Sequence, residues 1–230
     1  RCFEQLVNDA CLHNVNVRLI GNGGGLVYAP LGPTHLATDD IAILRAIPNM
    51  TIVAPSDAEE MKRLIPQTID WPGPVYIRLA KGGDEIVSRD DLPFEIGRAI
   101  EMRTGTDALL VTTGVTLQVA LEAAARLEQD GINAGILHMH TVKPLDEEAL
   151  MARIPNVRAV VSVEEHSIIG GLGSAVAELM AEWDDAAAVK FRRIGVPDAF
   201  PQNYGRQDDL MQLFGITPEN VASVVSEALV

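Results

Sequence analysis

Short apolar segments alternate with longer segments of helical periodicity along the chain. Apolar and β-branched residues predict strands at 17–20, 51–54, 75–79, 108–113, 132–139, 157–163 and 191–196. Spaced apolar positions between them predict helices at 1–12, 39–46, 56–70, 115–129, 146–151, 171–183, 206–214 and 217–229. Strands that alternate with helices in this way are typical of the α/β fold class.

Local signals refine two helices of the first half. Ser56 and Glu59 have the spacing of a capping box, so we expect Ser56 to cap the helix that follows. Pro66 lacks a backbone N–H and is expected to bend this helix or end it early. Asp39 and Asp40 open the preceding helix, and we interpret them as acids at the positive end of its dipole rather than as a catalytic pair.

A polar, charged stretch at 81–97 interrupts the pattern near the middle of the chain. It contains Gly82, Gly83 and Pro93, which are typical of connecting segments. We therefore predict two α/β units, at 1–88 and 98–230, joined by a linker at 89–97.

Composition narrows the classes of function. The formal net charge of −14, from 32 acidic and 18 basic residues, argues against a nucleic-acid partner. No apolar run reaches the ~18 residues of a membrane span. Cys2 and Cys11 are placed on opposite faces of one predicted helix, so we expect reduced thiols and a cytoplasmic location. No spacing of Cys and His indicates a metal site.

Candidate chemistry lies between the first strand and the second helix. Three glycines at 23–25 let the backbone approach a ligand closely, and the run Gly32-Pro33-Thr34-His35 follows. A histidine can carry a proton near neutral pH. This combination suggests a site for a phosphorylated or oxyanionic substrate, although a lone loop histidine is also often structural.

Several motifs occur in the order found in one enzyme family. Gly32-Pro33-Thr34-His35 and the segments 40–42, 45–50 and 55–59 resemble the pyrimidine-binding domain of transketolases. The segments 163–174 and 195–201 are similar to the transketolase C-terminal domain. This resemblance implies two three-layer α/β/α units, an incomplete thiamine-diphosphate pyrimidine-binding domain followed by a transketolase C-terminal-type domain.

The resemblance also implies an activity. It points to a C-terminal subunit or fragment of a thiamine-diphosphate-dependent enzyme that transfers a two-carbon ketol unit between sugar phosphates. Such a chain would act only with an N-terminal diphosphate-binding subunit or domain, in a dimer of such pairs. The Mg²⁺ or Ca²⁺ ion would be bound mainly by the partner, because the family's Gly-Asp-Gly motif is absent here. The family's catalytic glutamate would precede Arg1.

Four residues are candidates for the substrate site. The resemblance gives His35 a catalytic role in handling hydroxyl protons and places Thr34 beside it in the substrate site. Arg78 falls where the family has a phosphate-binding arginine, with a surface salt bridge as the equally weighted alternative. Lys81 is a second candidate for the substrate phosphate.

Other residues have weaker assignments. The resemblance suggests that Arg1 and Phe3 contact the cofactor, although Phe3 also fits a plain core position. The segment 164–166 precedes a glycine-rich turn, but a nucleotide site is disfavoured because the third glycine of the fingerprint is replaced by a valine. We expect this segment, including His166, to contribute to a subunit contact, and His138 and His140 to be structural or interfacial.

The sequence also departs from the family. Leu31 stands where many transketolases carry an acid, and glycines at 23–25 stand where they carry a histidine. A site without such hydroxyl-reading groups discriminates less among sugars. Alternatives are therefore an enzyme like 1-deoxyxylulose-5-phosphate synthase or a 2-oxo-acid dehydrogenase beta subunit, or a subunit that only scaffolds a partner.

Overall fold

Two sheets rich in parallel strands form the framework of the chain. A computed structural model describes all residues, 1–230. The first sheet has the order β1–β3–β2–β7, in which β1, β3 and β2 are parallel and β7 is antiparallel to β2. Its strands are β1 (Arg18–Asn22), β2 (Thr51–Val53), β3 (Val75–Leu79) and β7 (Thr141–Lys143).

Helices cover both faces of this sheet. They are α1 (Phe3–Gln5), which continues as π-helical turns over Leu6–Cys11, then α2 (Asp40–Arg45) and α3 (Ala58–Asp70). Adjacent strand residues point to opposite faces, so Ile52 packs with Ile41 of α2 while Val53 packs with Leu64 of α3. The first unit is therefore a three-layer α/β/α arrangement.

The second sheet has the order β4–β6–β5–β8–β9, and all of its pairs are parallel except β4 with β6. Its strands are β4 (Ile100–Arg103), β5 (Ala108–Thr112), β6 (Ala134–His138), β8 (Ala159–Ser167) and β9 (Lys190–Val196). The helices are α4 (Thr116–Gln129), α5 (Glu147–Arg153), α6 (Leu172–Ala181), α7 (Gln207–Leu213) and α8 (Pro218–Leu229).

The central strand β5 explains why the second unit also has three layers. Ala108 and Leu110 belong to the apolar cluster shared with α4 and α8, whereas Leu109 and Val111 belong to the cluster shared with α5 and α6. A parallel strand buried on both faces needs such a continuous apolar run. The α/β fold class expected from the sequence is confirmed.

The start of α3 differs from the sequence prediction. Asp57, not Ser56, caps the helix, because its carboxylate accepts the N–H groups of Glu59 (3.0 Å) and Glu60 (3.1 Å). The backbone N–H of Ser56 instead donates to the Glu60 carboxylate at 2.7 Å. Pro66 lies inside α3 without ending it.

Two short strands were not predicted. The strand β4 forms the antiparallel edge of the second sheet, and β7 crosses over to pair with β2 of the first. The segment 81–97 has no helix or strand, but Val87 and Ser88 donate backbone N–H groups to the Asp57 carboxylate at 2.9 and 2.7 Å. These bonds hold the middle of the segment against the first unit, and the division at 89–97 stays a prediction.

Two sequence expectations concern the cysteines and the membrane. Cys2 is exposed and Cys11 is buried, and the two are not bridged. None of the helices combines the length and the apolar character that crossing a membrane requires.

Candidate functional site

The candidate histidine lies on a closed loop at the carboxyl end of β1. We call residues 25–37 the functional loop. Gly25 and Ala37 close it by exchanging two backbone hydrogen bonds, Gly25 N to Ala37 O at 2.8 Å and Ala37 N to Gly25 O at 3.1 Å. Short 3₁₀ turns at Ala29–Leu31 and Pro33–His35 shape its path. Compact loops with adjoining ends are frequently functional.

The tip of the functional loop carries the two polar side chains singled out from the sequence. Thr34 and His35 are both exposed. The Thr34 hydroxyl and the Nδ1 atom of His35 are 3.0 Å apart, a hydrogen bond that orients the imidazole ring. The Nε2 atom has no protein partner and is available to a ligand.

Glycine is required at two positions of this loop. Gly25 (φ +71°) and Gly32 (φ +81°) adopt the left-handed region that disfavours side chains. A Cβ atom at Gly25 would overlap the carboxylate of Glu165, and one at Gly32 would overlap the ring of Tyr204. Both neighbours come from the second unit, so the loop lies tightly against it.

A buried ion pair lies under the base of the functional loop. Arg78, at the end of β3, is only 7% exposed, and its Nε donates to the Asp40 carboxylate at 2.9 Å. Its Nη2 donates to the backbone oxygens of Ala37 and Glu165, each at 3.0 Å. Tyr76 donates its hydroxyl to the same carboxylate at 2.8 Å.

This ion pair refines two interpretations made from the sequence. Asp39 is the N-cap residue of α2 and Asp40 lies in its first turn, as expected for acids at the positive end of the dipole, but Asp39 makes no side-chain cap and the Asp40 carboxylate pairs with Arg78. Burial raises the pKa of Asp40, but the Arg78 charge, His166 and the hydrogen bonds from Tyr76 and Arg78 together outweigh burial and hold the pKa below its usual range. The surface salt bridge considered for Arg78 is instead a buried one, and its phosphate role stays a prediction.

The end of β8 places two buried carboxylates next to each other. The Glu165 carboxylate accepts the backbone N–H of Leu26 at 2.9 Å and the Nε2 of Gln207 at 2.7 Å. The Glu164 carboxylate points to the opposite face and accepts the N–H groups of Leu172 (2.7 Å) and Gly173 (2.8 Å) at the start of α6. Burial raises the pKa of each glutamate to about 7.

His166 completes this group and is fully buried between the two units. Its Nε2 accepts the N–H of Ala42 at 3.3 Å, and its Nδ1 is 2.8 Å from the oxygen of Ser167, which requires a neutral ring that donates from Nδ1. Burial lowers the pKa of His166 to about 4, in agreement with that neutral form. The segment thus joins two units of one chain, a role not expected from the sequence. We call Asp40, Arg78, Glu165 and His166 the neck cluster.

A second buried group joins the units away from the functional loop. His138 Nε2 is 3.2 Å from the Glu60 carboxylate of α3, and the His140 ring stacks on Phe94 with centroids 4.1 Å apart. His138 and His140 are fully buried, so their expected structural role agrees with the geometry. We call Glu60, Phe94, His138 and His140 the histidine cluster.

Two clefts flank the functional loop. One, of about 220 Å³, lies at the carboxyl ends of the first sheet and is lined by Asn22, Ser56, Asp57 and Lys81 among others. Lys81 is exposed there, with its Nζ 5.8 Å from the centre of the Tyr28 ring. The other, of about 410 Å³, lies between Pro33 of the loop and Phe200 of the second unit.

The remaining candidates lie at the start of the chain. Arg1 is exposed, and the Phe3 ring is 49% exposed, so it is not the core residue considered as an alternative. No group of three or more His, Cys, Asp or Glu side chains is arranged to hold a metal ion.

Comparisons with known proteins agree with this geometry. The family model for the transketolase pyrimidine-binding domain matches residues 1–83, and that for the transketolase C-terminal domain matches 97–221. A split-gene transketolase of known structure, described as an inactive β4 tetramer, is 36% identical and superposes with a TM-score of 0.90. That match covers 100% of this chain and 72% of the other.

Two relatives show the range of the similarity. An apulose-4-phosphate transketolase subunit of Phocaeicola vulgatus is 34% identical over 230 residues, which cover 99% of this chain and 72% of that protein. The 1-deoxy-D-xylulose-5-phosphate synthase of Symbiobacterium thermophilum is 38% identical over 224 residues, which cover 96% of this chain but 34% of the synthase.

Proposed function

The chain belongs to the transketolase family, and from that premise we propose that it supplies the pyrimidine-binding and C-terminal domains of a thiamine-diphosphate-dependent enzyme that transfers a two-carbon ketol unit between sugar phosphates. The exposed Thr34–His35 tip of a loop with a buried, hydrogen-bonded base is the observation that carries this proposal. Such a base keeps the reactive side chain in place while its free Nε2 faces a substrate.

His35 acts on the hydroxyl protons of the sugar in this proposal. Its Nδ1 is engaged by Thr34, so its Nε2 is the atom that accepts or returns a proton. Lys81 is better placed than Arg78 to meet the substrate phosphate, because Lys81 is exposed in a cleft whereas Arg78 is buried and paired with Asp40.

The cofactor would be shared with a partner. When bound, thiamine diphosphate supplies the nucleophilic carbon that takes up the ketol fragment. The exposed ring of Phe3 fits stacking against the aminopyrimidine, and Arg1 lies two residues before it in the sequence. The similarity to a split-gene transketolase and to a transketolase subunit supports an N-terminal diphosphate-binding subunit or domain as the holder of Mg²⁺ or Ca²⁺, in a dimer of such pairs.

The test is ketol transfer by the chain in its native assembly. With thiamine diphosphate, Mg²⁺, a ketose phosphate donor and an aldose phosphate acceptor, we expect turnover that falls by ~10²-fold or more in His35→Ala, the scale of a lost proton-transfer group. Arg192→Ala, which removes an exposed cation of the second unit, serves as the control with unchanged turnover. Equal turnover in wild type and His35→Ala would contradict the catalytic role.

One observation favours a second candidate. The exposed Leu31 and the glycines at 23–25 leave the loop without the hydroxyl-reading groups expected of pentose-phosphate transfer. This keeps a reaction like that of 1-deoxyxylulose-5-phosphate synthase as the alternative. Consumption of pyruvate by the assembly without a ketose donor would identify it, whereas dependence on a ketose donor would exclude it.

A further inference from the structure

The second unit holds the base of the functional loop at a place where α/β sheets often bind ligands. The chain leaves β5 for β6 on one side and later returns to β8 on the other, so the carboxyl ends of β5 and β8 form a topological switch point. β8 continues through Ser167, beyond its last pairing with β5 at Val163. Part of the functional loop contacts this extension.

Apolar contacts insert the loop into the second unit. Leu26 and Ala29 are completely buried, and both belong to the apolar cluster formed by β5, β8 and the helices α4 and α8. The loop of the first unit is therefore packed as part of the core of the second. Apolar packing alone, however, does not fix the direction of a backbone.

Polar contacts supply that direction. Leu26 N–H donates to the Glu165 carboxylate at 2.9 Å, and Ser167 N–H donates to the oxygen of Thr38 at 2.7 Å. Arg78 bridges Ala37 and the backbone of Glu165. Both ends of the loop thus meet the last residues of β8.

Among these contacts, the Glu165 carboxylate has a role that its neighbours do not share. It is the acceptor for a buried N–H of the loop, and an orphaned N–H at that position carries a desolvation cost. It is held in turn by Gln207 of α7. Gly25 fits beside it only because glycine has no side chain there.

We propose that Glu165 is a positioning residue that, from the second unit, fixes the base of the functional loop and thereby the place of the His35 side chain. The consequence for catalysis rests on the proposed function of His35. The anchoring of the loop concerns this chain alone and can be tested without any activity.

Two substitutions with side chains of similar length separate the effect of the hydrogen bond from the effect of packing. Glu165→Gln keeps a carbonyl oxygen for the Leu26 N–H, whereas Glu165→Met removes the acceptor and fills the space. We expect Glu165→Met to raise amide hydrogen exchange in peptides covering 26–36 by about tenfold or more, the scale of one buried hydrogen bond. Glu165→Gln should restore exchange close to that of wild type.

The adjacent glutamate provides a matched control. Glu164→Met removes a buried carboxylate from the same strand, but its partners are at the start of α6. It should raise exchange at 171–174 and leave 26–36 unchanged. If Glu165→Met does not fold, Gln207→Met, which removes the second donor to the same oxygen, should raise exchange at 26–36 by about threefold.

Kinetics of the assembled enzyme give the catalytic readout. We expect Glu165→Met to lower kcat by about 10–10²-fold, with KM for the ketose nearly unchanged and recovery of kcat in Glu165→Gln, because a misplaced proton-transfer group slows chemistry rather than binding. Unchanged exchange at 26–36 in Glu165→Met, or in Gln207→Met where Glu165→Met does not fold, would overturn the anchoring, as would equal effects of Glu165→Met and Glu165→Gln. If Glu165→Met alters exchange at 26–36 but the wild-type assembly shows no ketol transfer, the proposed function is overturned and the anchoring stands.

Discussion

The neck cluster and the histidine cluster are both buried contacts between the two units, yet they position different segments of the first unit. In each cluster one carboxylate accepts a backbone N–H of such a segment. Glu165 accepts that of Leu26 at 2.9 Å, in the functional loop, and Glu60 accepts that of Ser56 at 2.7 Å, before α3. The first contact therefore bears on the proposed function, and the second on assembly of the fold.

The two carboxylates also differ in electrostatics. Burial raises the pKa of both, but at Glu60 the contacts with His138, the backbone N–H of Ser56 and His140 together outweigh burial and lower that pKa to about 2. Burial prevails at Glu165, whose pKa rises to about 7 although Arg78 is close. The Arg78 charge is already paired with Asp40. The pKa of a buried acid therefore falls only where its partners together outweigh burial, as at Glu60, and rises where they do not, as at Glu165.

The largest effect is expected from breaking the ion pair of the neck cluster. Arg78→Met leaves Asp40 buried without its cation and should lower the free energy of unfolding by about 3–5 kcal/mol in urea titrations. The double variant Arg78→Met/Asp40→Asn should recover much of this loss. A single variant as stable as wild type that raises only KM for phosphorylated sugars would instead support the phosphate role of Arg78.

The same substitution should have opposite effects in the two clusters. At pH 8, Glu60→Gln removes a charge that its surroundings favour and should lower the free energy of unfolding by about 1–3 kcal/mol. Glu165→Gln removes a charge that burial disfavours and should raise it by about 1–3 kcal/mol, since each pKa unit corresponds to about 1.4 kcal/mol. Urea titrations of both variants decide the point, and changes of the same sign would contradict it.

The dependence of these effects on pH follows from linkage. A lowered folded-state pKa, as at Glu60, gives stability that is present above about pH 4.5 and lost as pH falls toward 2. A raised folded-state pKa, as at Glu165, gives stability that is present below about pH 4.5 and lost as pH rises through 7. The difference between Glu165→Gln and wild type should therefore shrink on acidification from pH 8 to 5.

The smallest effect is expected at His140. Its ring stacks on Phe94, its Nε2 has no partner, and burial lowers its pKa to about 3. His140→Phe should change the free energy of unfolding by no more than about 1 kcal/mol at pH 8. Because the folded histidine resists protonation, wild type should lose stability relative to this variant as pH falls from 6.5 to 4.5. A constant difference across that window would show that His140 does not resist protonation.

The order of elements was predictable because it depends on local patterns. The apolar run of β5 and the helical stripe of α4 each specify their own conformation, and both occur where expected. The residue that caps α3 was not predictable, because Ser56 and Asp57 are both good caps. Asp57 caps the helix, and the Glu60 side chain accepts the N–H of Ser56 instead. β7 has only three residues and gains its partner from the other unit.

The candidate site was predictable only at its tip. Gly32, Thr34 and His35 form a recognisable motif, and the structure exposes both polar side chains. The contacts beneath them join residues far apart in sequence, such as Leu26 with Glu165, and no local pattern reveals such a pair. The adjacent acids Glu164 and Glu165 were a visible signal, but the face to which each one points depends on the register of β8.

Amide hydrogen exchange at two single residues, followed by NMR, tests the difference between the clusters most directly. Glu165→Met should speed exchange of the Leu26 amide by about tenfold or more and leave the Ser56 amide unchanged. Glu60→Met should speed exchange of the Ser56 amide and leave the Leu26 amide unchanged. That crossed result would show that the second unit holds the functional loop through Glu165. Equal acceleration of both amides by either substitution would contradict it, because the interface would then open as a whole and Glu165 would have no separate hold on the loop.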